Sequence, residues 1–372
     1  MAGLYIHIPF CASRCIYCGF FSTTNNNMMN RYIHAVTEEM NLRKHANIID
    51  TIYIGGGTPS QLSSQNLVAL FKSIYNIYNV RKDAEVTLEC NPDDVTEDFT
   101  TLLTRLPVNR ISMGVQSFSD KRLSFLHRRH TSKQAMEAVE TLRNHGIQNI
   151  SIDLIFGFPE ETIADWEIDI DSALSLNVEH ISAYSLMYEE GTQLYQLLKQ
   201  GKIHEIDEET SLSMYNLLID KLEKSGYEQY EISNFARPGF RSKHNSSYWH
   251  EVPYIGLGAS AHSYNKTHRM WNPSNLTTYI QTIESGRLAY EQETLDLHTR
   301  YNDLITTALR TKEGINLTDM KRHYGSSLYQ YLMNNAHQHL QNNNMVIEDE
   351  HLSLTKKGLY ISDDIMSDLI YI

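Results

Sequence analysis

The chain is poor in cysteine: 372 residues hold only four. Three of them, Cys11, Cys15 and Cys18, crowd into one stretch, "CASRCIYCGF". Such usage excludes a disulfide-stapled secreted scaffold and suits a reducing compartment. Long apolar runs are also missing; none approaches the roughly 18 residues of a membrane span. The opening "MAGLYIHIPF" has neither the basic n-region nor the apolar h-region of a signal peptide, so the expected location is cytoplasmic. Lys and Arg form no stripe and the formal net charge is −13, which argues against nucleic acid as the main partner. There is no internal repeat, and low complexity stops at "NNN" at 25–27 and 342–344.

What is present is an ordinary globular mix, 41% apolar and 21% charged, in a chain long enough for one large α/β unit and a smaller domain. Short β-branched runs recur over the first half: "LYIHIP" (4–9), "TIYIGG" (51–56), "AEVTLE" (84–89), "RISMGVQ" (110–116), "NISIDLIF" (149–156) and "HISAYSL" (180–186). Amphipathic segments lie between them. In "SSQNLVALFKSIYNIY" (63–78), Leu67, Leu70, Phe71, Ile74, Ile77 and Tyr78 keep helical spacing. Six β-α units in a row predict a parallel sheet with right-handed crossovers. A closed eight-unit barrel takes about 250 residues, so six units ending near 190 predict an open, partial (β/α)6 barrel. Residues 191–290 read as helices and aromatic-rich loops. Residues 291–372 read helix, helix, helix, short strands with a turn at 348–351, then helix. That order predicts a small winged-helix-like α+β domain, whose mixed charge favours packing over DNA binding.

Three thiols so close together fit two chemistries. Structural zinc normally wants four ligands, often two C-x2-C pairs; no second pair exists here, although a histidine would substitute. An iron–sulfur cluster also normally takes four thiolates, and with three supplied one iron keeps an open site. The cysteine loop follows the first strand, and in parallel barrels active residues gather at such strand ends. There too lie "GGGTP" (55–59), Glu89, Gln116 and Asp153. Each has a plainer reading. Glycines make tight turns, Glu89 is a solvated carboxylate, Asp153 a paired structural acid and Cys90 a core thiol. "GGGTP" is neither a phosphate loop nor a dinucleotide fingerprint, and suits close backbone approach to a ligand with a polar end.

The stretches "YIHIPFCASRCIYC", "GGGTPS", "ECNP", "RISMGVQSF", "SIDLIFGFP" and "YEISNFA" together resemble the coproporphyrinogen-dehydrogenase-like radical SAM proteins, over essentially the whole chain. The resemblance implies a [4Fe–4S] cluster on Cys11, Cys15 and Cys18. Its open iron would bind S-adenosylmethionine (SAM), cleaved by one electron to methionine and a 5′-deoxyadenosyl radical. It further implies SAM contacts from Tyr5, Gly56, Gly57, Thr58, Glu89, Gln116, Arg128 and Asp153. Arg128 lies in "LHRRH", where His127 replaces the usual glycine; a solvated surface charge is its other reading. The dehydrogenase branch of the family continues C-x3-C-x2-C-x-C, whereas this chain has Phe20 at the last position. "HNSSYW" (244–249) matches the H-N-x-x-Y-W of the heme-chaperone branch, the HemW-type proteins. Gly19 departs from the acidic residue common after the third cysteine. The resemblance thus implies a heme chaperone that delivers heme to respiratory hemoproteins at the membrane. Its alternative is an oxygen-independent coproporphyrinogen III dehydrogenase making protoporphyrinogen IX. His244 is the expected heme ligand, with Tyr248 and Trp249 against the porphyrin; the other reading makes all three loop and core residues. Monomer and homodimer both remain open.

Overall fold

Six strands form where apolar and polar residues alternate: β1 (Ala2–Ile8), β2 (Ile48–Gly56), β3 (Asn79–Cys90), β4 (Arg110–Gln116), β5 (Ile150–Phe156) and β6 (His180–Ser185). The computed structural model describes residues 2–45 and 47–372. The six pair in chain order, all parallel. One face carries Leu4, Ile6, Ile52, Ile54, Val86, Leu88, Ile111, Met113, Ile152 and Leu154, all buried under the helices. The other face is polar along its length, with Thr51, Glu85, Thr87, Arg110, Ser112, Ser151, His180 and Ser182 all buried. Parallel strands covered on both sides usually read as unbroken apolar runs. Period-two alternation here means that the inner side of the sheet encloses a polar lumen.

Helices cover the apolar face. Ser64–Ile77 begins where the Ser63 side chain accepts from the Asn66 N–H, and it buries Leu67, Leu70, Phe71 and Ile74. Each such side chain is worth about 1.5–3 kcal/mol relative to exposure. Thr131 with Gln134 and Thr162 with Asp165 form capping boxes that start the helices Ser132–Asn144 and Ile163–Ser175.

From residue 191 the helices expected there are joined by short strands that the sequence reading missed: β7 (Glu228–Glu231), β8 (Asn234–Ala236), β9 (Tyr254–Leu257), β10 (His262–Tyr264), β11 (His268–Trp271) and β12 (Glu291–Thr294). They extend both edges into a twelve-stranded sheet, ordered β12-β11-β10-β9-β1-β2-β3-β4-β5-β6-β8-β7. β9 runs parallel to β1; β8 runs antiparallel to β6. Runs of three or four mixed residues such as "HSY" or "EQET" carry no alternation signal, and the sheet edge supplies their partner.

The C-terminal module keeps the expected helices and hairpin but adds a short strand between the first and second helices. Helix Leu297–Ala308 leads to β13 (Ile315–Asn316), then to a helical stretch Leu317–Gln341 broken at Gly325, φ 85°. The hairpin β14 (Met345–Glu348) and β15 (His351–Leu354) turns on Asp349 and Glu350, both left-handed at φ 46° and 61°. β13 joins β15 to complete a three-stranded sheet. The module has its own core, including Tyr301, Ile305, Leu328, Leu332, Leu352 and Ile365. It docks where Ile232 N–H donates to Arg310 O and Lys312 N–H to Tyr230 O, both 3.1 Å. Among the described residues, no helix is long and apolar enough to cross a membrane.

Candidate functional site

The cysteine loop leaves the C-terminal end of β1 and is tied back at its base. Thr23 N–H donates to Pro9 O (2.7 Å) and Cys11 N–H to Thr23 O (3.0 Å). His7, buried beneath, places Nε2 2.9 Å from Phe21 O and Nδ1 2.9 Å from the Tyr5 hydroxyl. Ile16 anchors the middle of the loop in a small apolar cluster with Leu126, Ile155, Phe158, Leu186 and Leu194. The loop end is therefore positioned by backbone and packing.

The glycines of "GGGTP" serve this loop. Gly57 N–H donates to Ile8 O and Thr58 N–H to Phe10 O, both 2.8 Å. A Cβ on Gly57 would fall 2.7 Å from Ile8 O, and one on Gly55 would meet Tyr53 and Glu89 at 2.6–2.7 Å. The close approach is thus first to the chain itself. Thr58 Oγ1 donates to Cys11 Sγ (3.4 Å) and Arg128 Nη1 to Cys15 Sγ (3.5 Å). The same guanidinium also donates to Gly114 O (2.6 Å) and to Asn91 Oδ1. Arg128 is therefore a bracket of the site, and its surface-charge reading falls.

A cavity of about 520 Å³ opens at these strand ends, lined by Cys11, Cys15, Cys18, Gly56, Gly57, Thr58, Glu89, Gln116, Arg128 and Asp153. All ten were expected from the sequence. Two others do not reach it. Tyr5 lies among the lumen aromatics, its ring 6.2 Å from Tyr53 and 6.5 Å from His244. His244 is 1% exposed, with Nδ1 2.8 Å from Thr51 Oγ1. Its Nε2 lies 2.9 Å from the hydroxyl of Tyr248, one turn further along the same helix. Burial, aided by the Arg110 charge, holds its pKa down at about 3. With both nitrogens engaged, His244 is no free heme ligand in this structure. Asn245 is the residue of that motif that lines the cavity.

Residues the sequence reading missed also line the cavity: Tyr53, Asn91, Ser112, Ser182 and Tyr184. Tyr53, Ser112 and Ser182 stand on the inner face of β2, β4 and β6, which the period-two alternation of those strands would have marked. Tyr53 OH donates to Glu89 Oε1 (2.7 Å) and Gly56 N–H to Oε2 (2.9 Å). Burial nevertheless raises Glu89 to about 7, and raises Asp153 to about 6. Deeper still, Arg110 is 1% exposed, and among the described residues its Nε and Nη1 have no hydrogen-bond partner. Its charge works against the effect of burial on both acids. The floor is thus a pair of acids that a cationic ligand would ionise fully.

Burial also raises the Cys11 and Cys18 thiols, so a bound metal must supply the attraction that deprotonates them. All four cysteines are free. Among the described residues no three His, Cys, Asp or Glu side chains are set to hold a single metal ion. Three thiols along one cavity wall suit the several irons of a cluster better than the single tetrahedral point of structural zinc. The donor set and the acidic floor fit a cluster with a cationic, hydroxyl-bearing ligand above it.

A three-cysteine loop at the ends of parallel strands, facing a polar lumen, defines a protein of the radical SAM class. Residues 5–173 match the family model of the Radical SAM superfamily, and residues 295–361 match the HemN C-terminal domain. The chain is 37% identical over 335 residues to the heme chaperone HemW of Bacillus subtilis, covering 88% of each chain. It is 31% identical over 389 residues to the mitochondrial radical S-adenosyl methionine domain-containing protein 1 of Danio rerio, covering 99% of this chain and 87% of that one. Its fold is that of coproporphyrinogen III oxidase (HemN) from Escherichia coli, with a TM-score of 0.86 at 21% identity over 99% of this chain and 90% of that one. The chain belongs to the HemW family.

Proposed function

We propose that the protein carries heme in the cytoplasm and passes it to respiratory hemoproteins, with a radical SAM centre beside the cargo. Cys11, Cys15 and Cys18 would hold a [4Fe–4S] cluster with one iron left to SAM. Bound together there, the pair supplies one-electron reductive cleavage of SAM. Gly56, Gly57 and Thr58 would meet the methionine end, Gln116 would offer its amide, and Glu89 and Asp153 would take cationic and hydroxyl groups. Arg128 would steady the Cys15 side of the loop. In function the chain would divide at 1–190, 191–290 and 291–372 into radical SAM unit, extension and winged-helix-like packing module.

The observation that carries the reading is Phe20. Where the dehydrogenase branch has a fourth cysteine, this chain places a phenyl ring 69% exposed, within the HemW family and without a further thiolate at the rim. Anaerobic reconstitution followed by parallel assays tests it. The expected result is hemin binding with a Soret band and no protoporphyrinogen from coproporphyrinogen, even with SAM and reductant. SAM-dependent decarboxylation without hemin binding would promote the coproporphyrinogen III dehydrogenase instead. Spectral transfer of bound hemin to heme-depleted respiratory membranes tests delivery.

A further inference from the structure

Polarity changes along the depth of the cavity. Its floor carries the buried polar groups of Tyr53, Glu89, Ser112 and Asp153, whereas its rim adds Phe20, 69% exposed, and Met187, 61% exposed, to the exposed charges of Arg14, Arg129 and Glu189. Apart from the terminal Ile372, only Ile168 among the described large apolar side chains is comparably exposed. A single exposed hydrophobic needs no explanation, but two of the three on one rim do. The loops that bear them touch, since a Cβ on Gly19 would fall 1.8 Å from Glu189 Oε2. Leu194 N–H donates to Ile16 O (2.9 Å) and ties the same two segments from below. Glycine at 19 therefore lets the Phe20 and Met187 loops meet. Arg14, exposed on this rim, forms no hydrogen bond or ion pair among the described residues.

We propose that this rim is the heme seat: the macrocycle lies against Phe20 and Met187 and an acid arm reaches Arg14. The inference rests on the heme-carrier reading above. A free guanidinium beside two exposed apolar side chains complements a flat apolar ring bearing carboxylates. Among the described residues no histidine lines the cavity, and both nitrogens of His244 are engaged. The seat therefore recognises the ring and its acid arms, not the iron. An open seat also suits a cargo that must leave, because release is governed by the off-rate.

The test titrates hemin and iron-free protoporphyrin IX into the full-length, cluster-reconstituted protein. Both are expected to bind with affinities within a few-fold of each other. Phe20→Ala and Met187→Ala should each weaken both by about tenfold, the scale of losing one apolar contact. Arg14→Glu should weaken both by roughly a few-fold, more at low salt. Ile168→Ala, equally greasy but remote from the cavity, should change nothing. Iron content is measured in every variant, and Met187→Ala remains informative if Phe20→Ala loses its cluster. Hemin binding that survives all three rim changes overturns the seat while leaving the carrier reading intact. Binding of hemin but not protoporphyrin overturns it too, as does normal porphyrin affinity with failed hand-over, which makes the rim a protein contact. A wild-type protein that binds neither porphyrin overturns both the seat and the carrier reading.

Discussion

His127 sits at φ 59°, in the left-handed region that costs a side chain with a Cβ about 1–2 kcal/mol and glycine almost nothing. Its place in "LHRRH" is where the resembling motif has glycine, so the sequence anomaly and the backbone strain are one fact. His127→Gly should stabilise the protein by about 1 kcal/mol, read as a melting temperature higher by about 1–2 °C; no gain would mean the imidazole makes a compensating contact. Glu89 and Asp153 carry a different residue-scale consequence. Burial raises them from 4.5 to about 7 and from 3.8 to about 6. The folded, ligand-free protein thus holds these protons more tightly than the unfolded chain. Its stability from this source is full below about pH 4 and is lost as pH rises towards 7. A cationic ligand prefers the ionised acids, so SAM affinity should run the opposite way, rising by about tenfold or more from pH 5.5 to 7.5. Anaerobic calorimetry at several pH values measures this, and Glu89→Gln should flatten the rise. A flat wild-type profile would make the two acids structural.

At the scale of elements, the sequence pattern located the strands well and their inner faces poorly. Apolar runs marked β1 to β6 because burial under helices demands them, and ten strand-end and loop residues named from the sequence do line one cavity. The polar residues deeper on the same inner face were overlooked because a lone Ser112 or Tyr53 looks like any half-buried strand position. "HNSSYW" pointed to the right family, but its histidine is engaged within the fold. Its helix, Lys243–Trp249, is a structural bracket. Glu85 on β3 accepts from the N–H groups of Lys243 and His244, both at 2.9 Å. His244 then bridges Thr51 on β2 to Tyr248. His244→Ala should therefore cost about 2–4 kcal/mol by urea denaturation, through a cavity and two orphaned hydroxyls. Hemin affinity per folded molecule should stay unchanged; a selective loss of hemin binding would restore His244 as a ligand. The cysteine loop makes the complementary case. Cys11→Ala, Cys15→Ala and Cys18→Ala should each lose the roughly four irons of a cluster. Cys90→Ala, at the end of β3 and 4% exposed, should retain them.

Beside the small cluster under the cysteine loop, the described residues form two large apolar cores of unequal size. The larger runs beneath the long sheet and takes in Met214, Leu218, Phe235, Leu257, Tyr279 and Ile280 from the extension. No stretch of sequence announced that continuity, because β7 to β12 are defined by the edges they join and not by their own pattern. The C-terminal module was legible, since its helices and hairpin follow from local periodicity and turn residues. Its core is separate, and the seam is mainly polar: two backbone hydrogen bonds at 230–232 and 310–312, partly buried contacts from Tyr324 OH to Glu251 (3.0 Å), Arg241 to Glu313 (2.6 Å) and Arg269 to Asp303 (2.7 Å), and exposed pairs such as Lys356–Asp220 at 2.8 Å. Exposed ion pairs contribute about 0–1 kcal/mol each, so the seam is weak beside either core. Calorimetric unfolding should accordingly show two overlapping transitions. Ligand binding stabilises only the unit that contains its site, so cluster loading and SAM should raise the larger transition and leave the smaller where it was. Cys15→Ala, which removes the cluster, should abolish that separation. A single transition that moves as a whole on loading would mean that the module unfolds together with the sheet, and that the seam couples the two far more strongly than its contacts indicate.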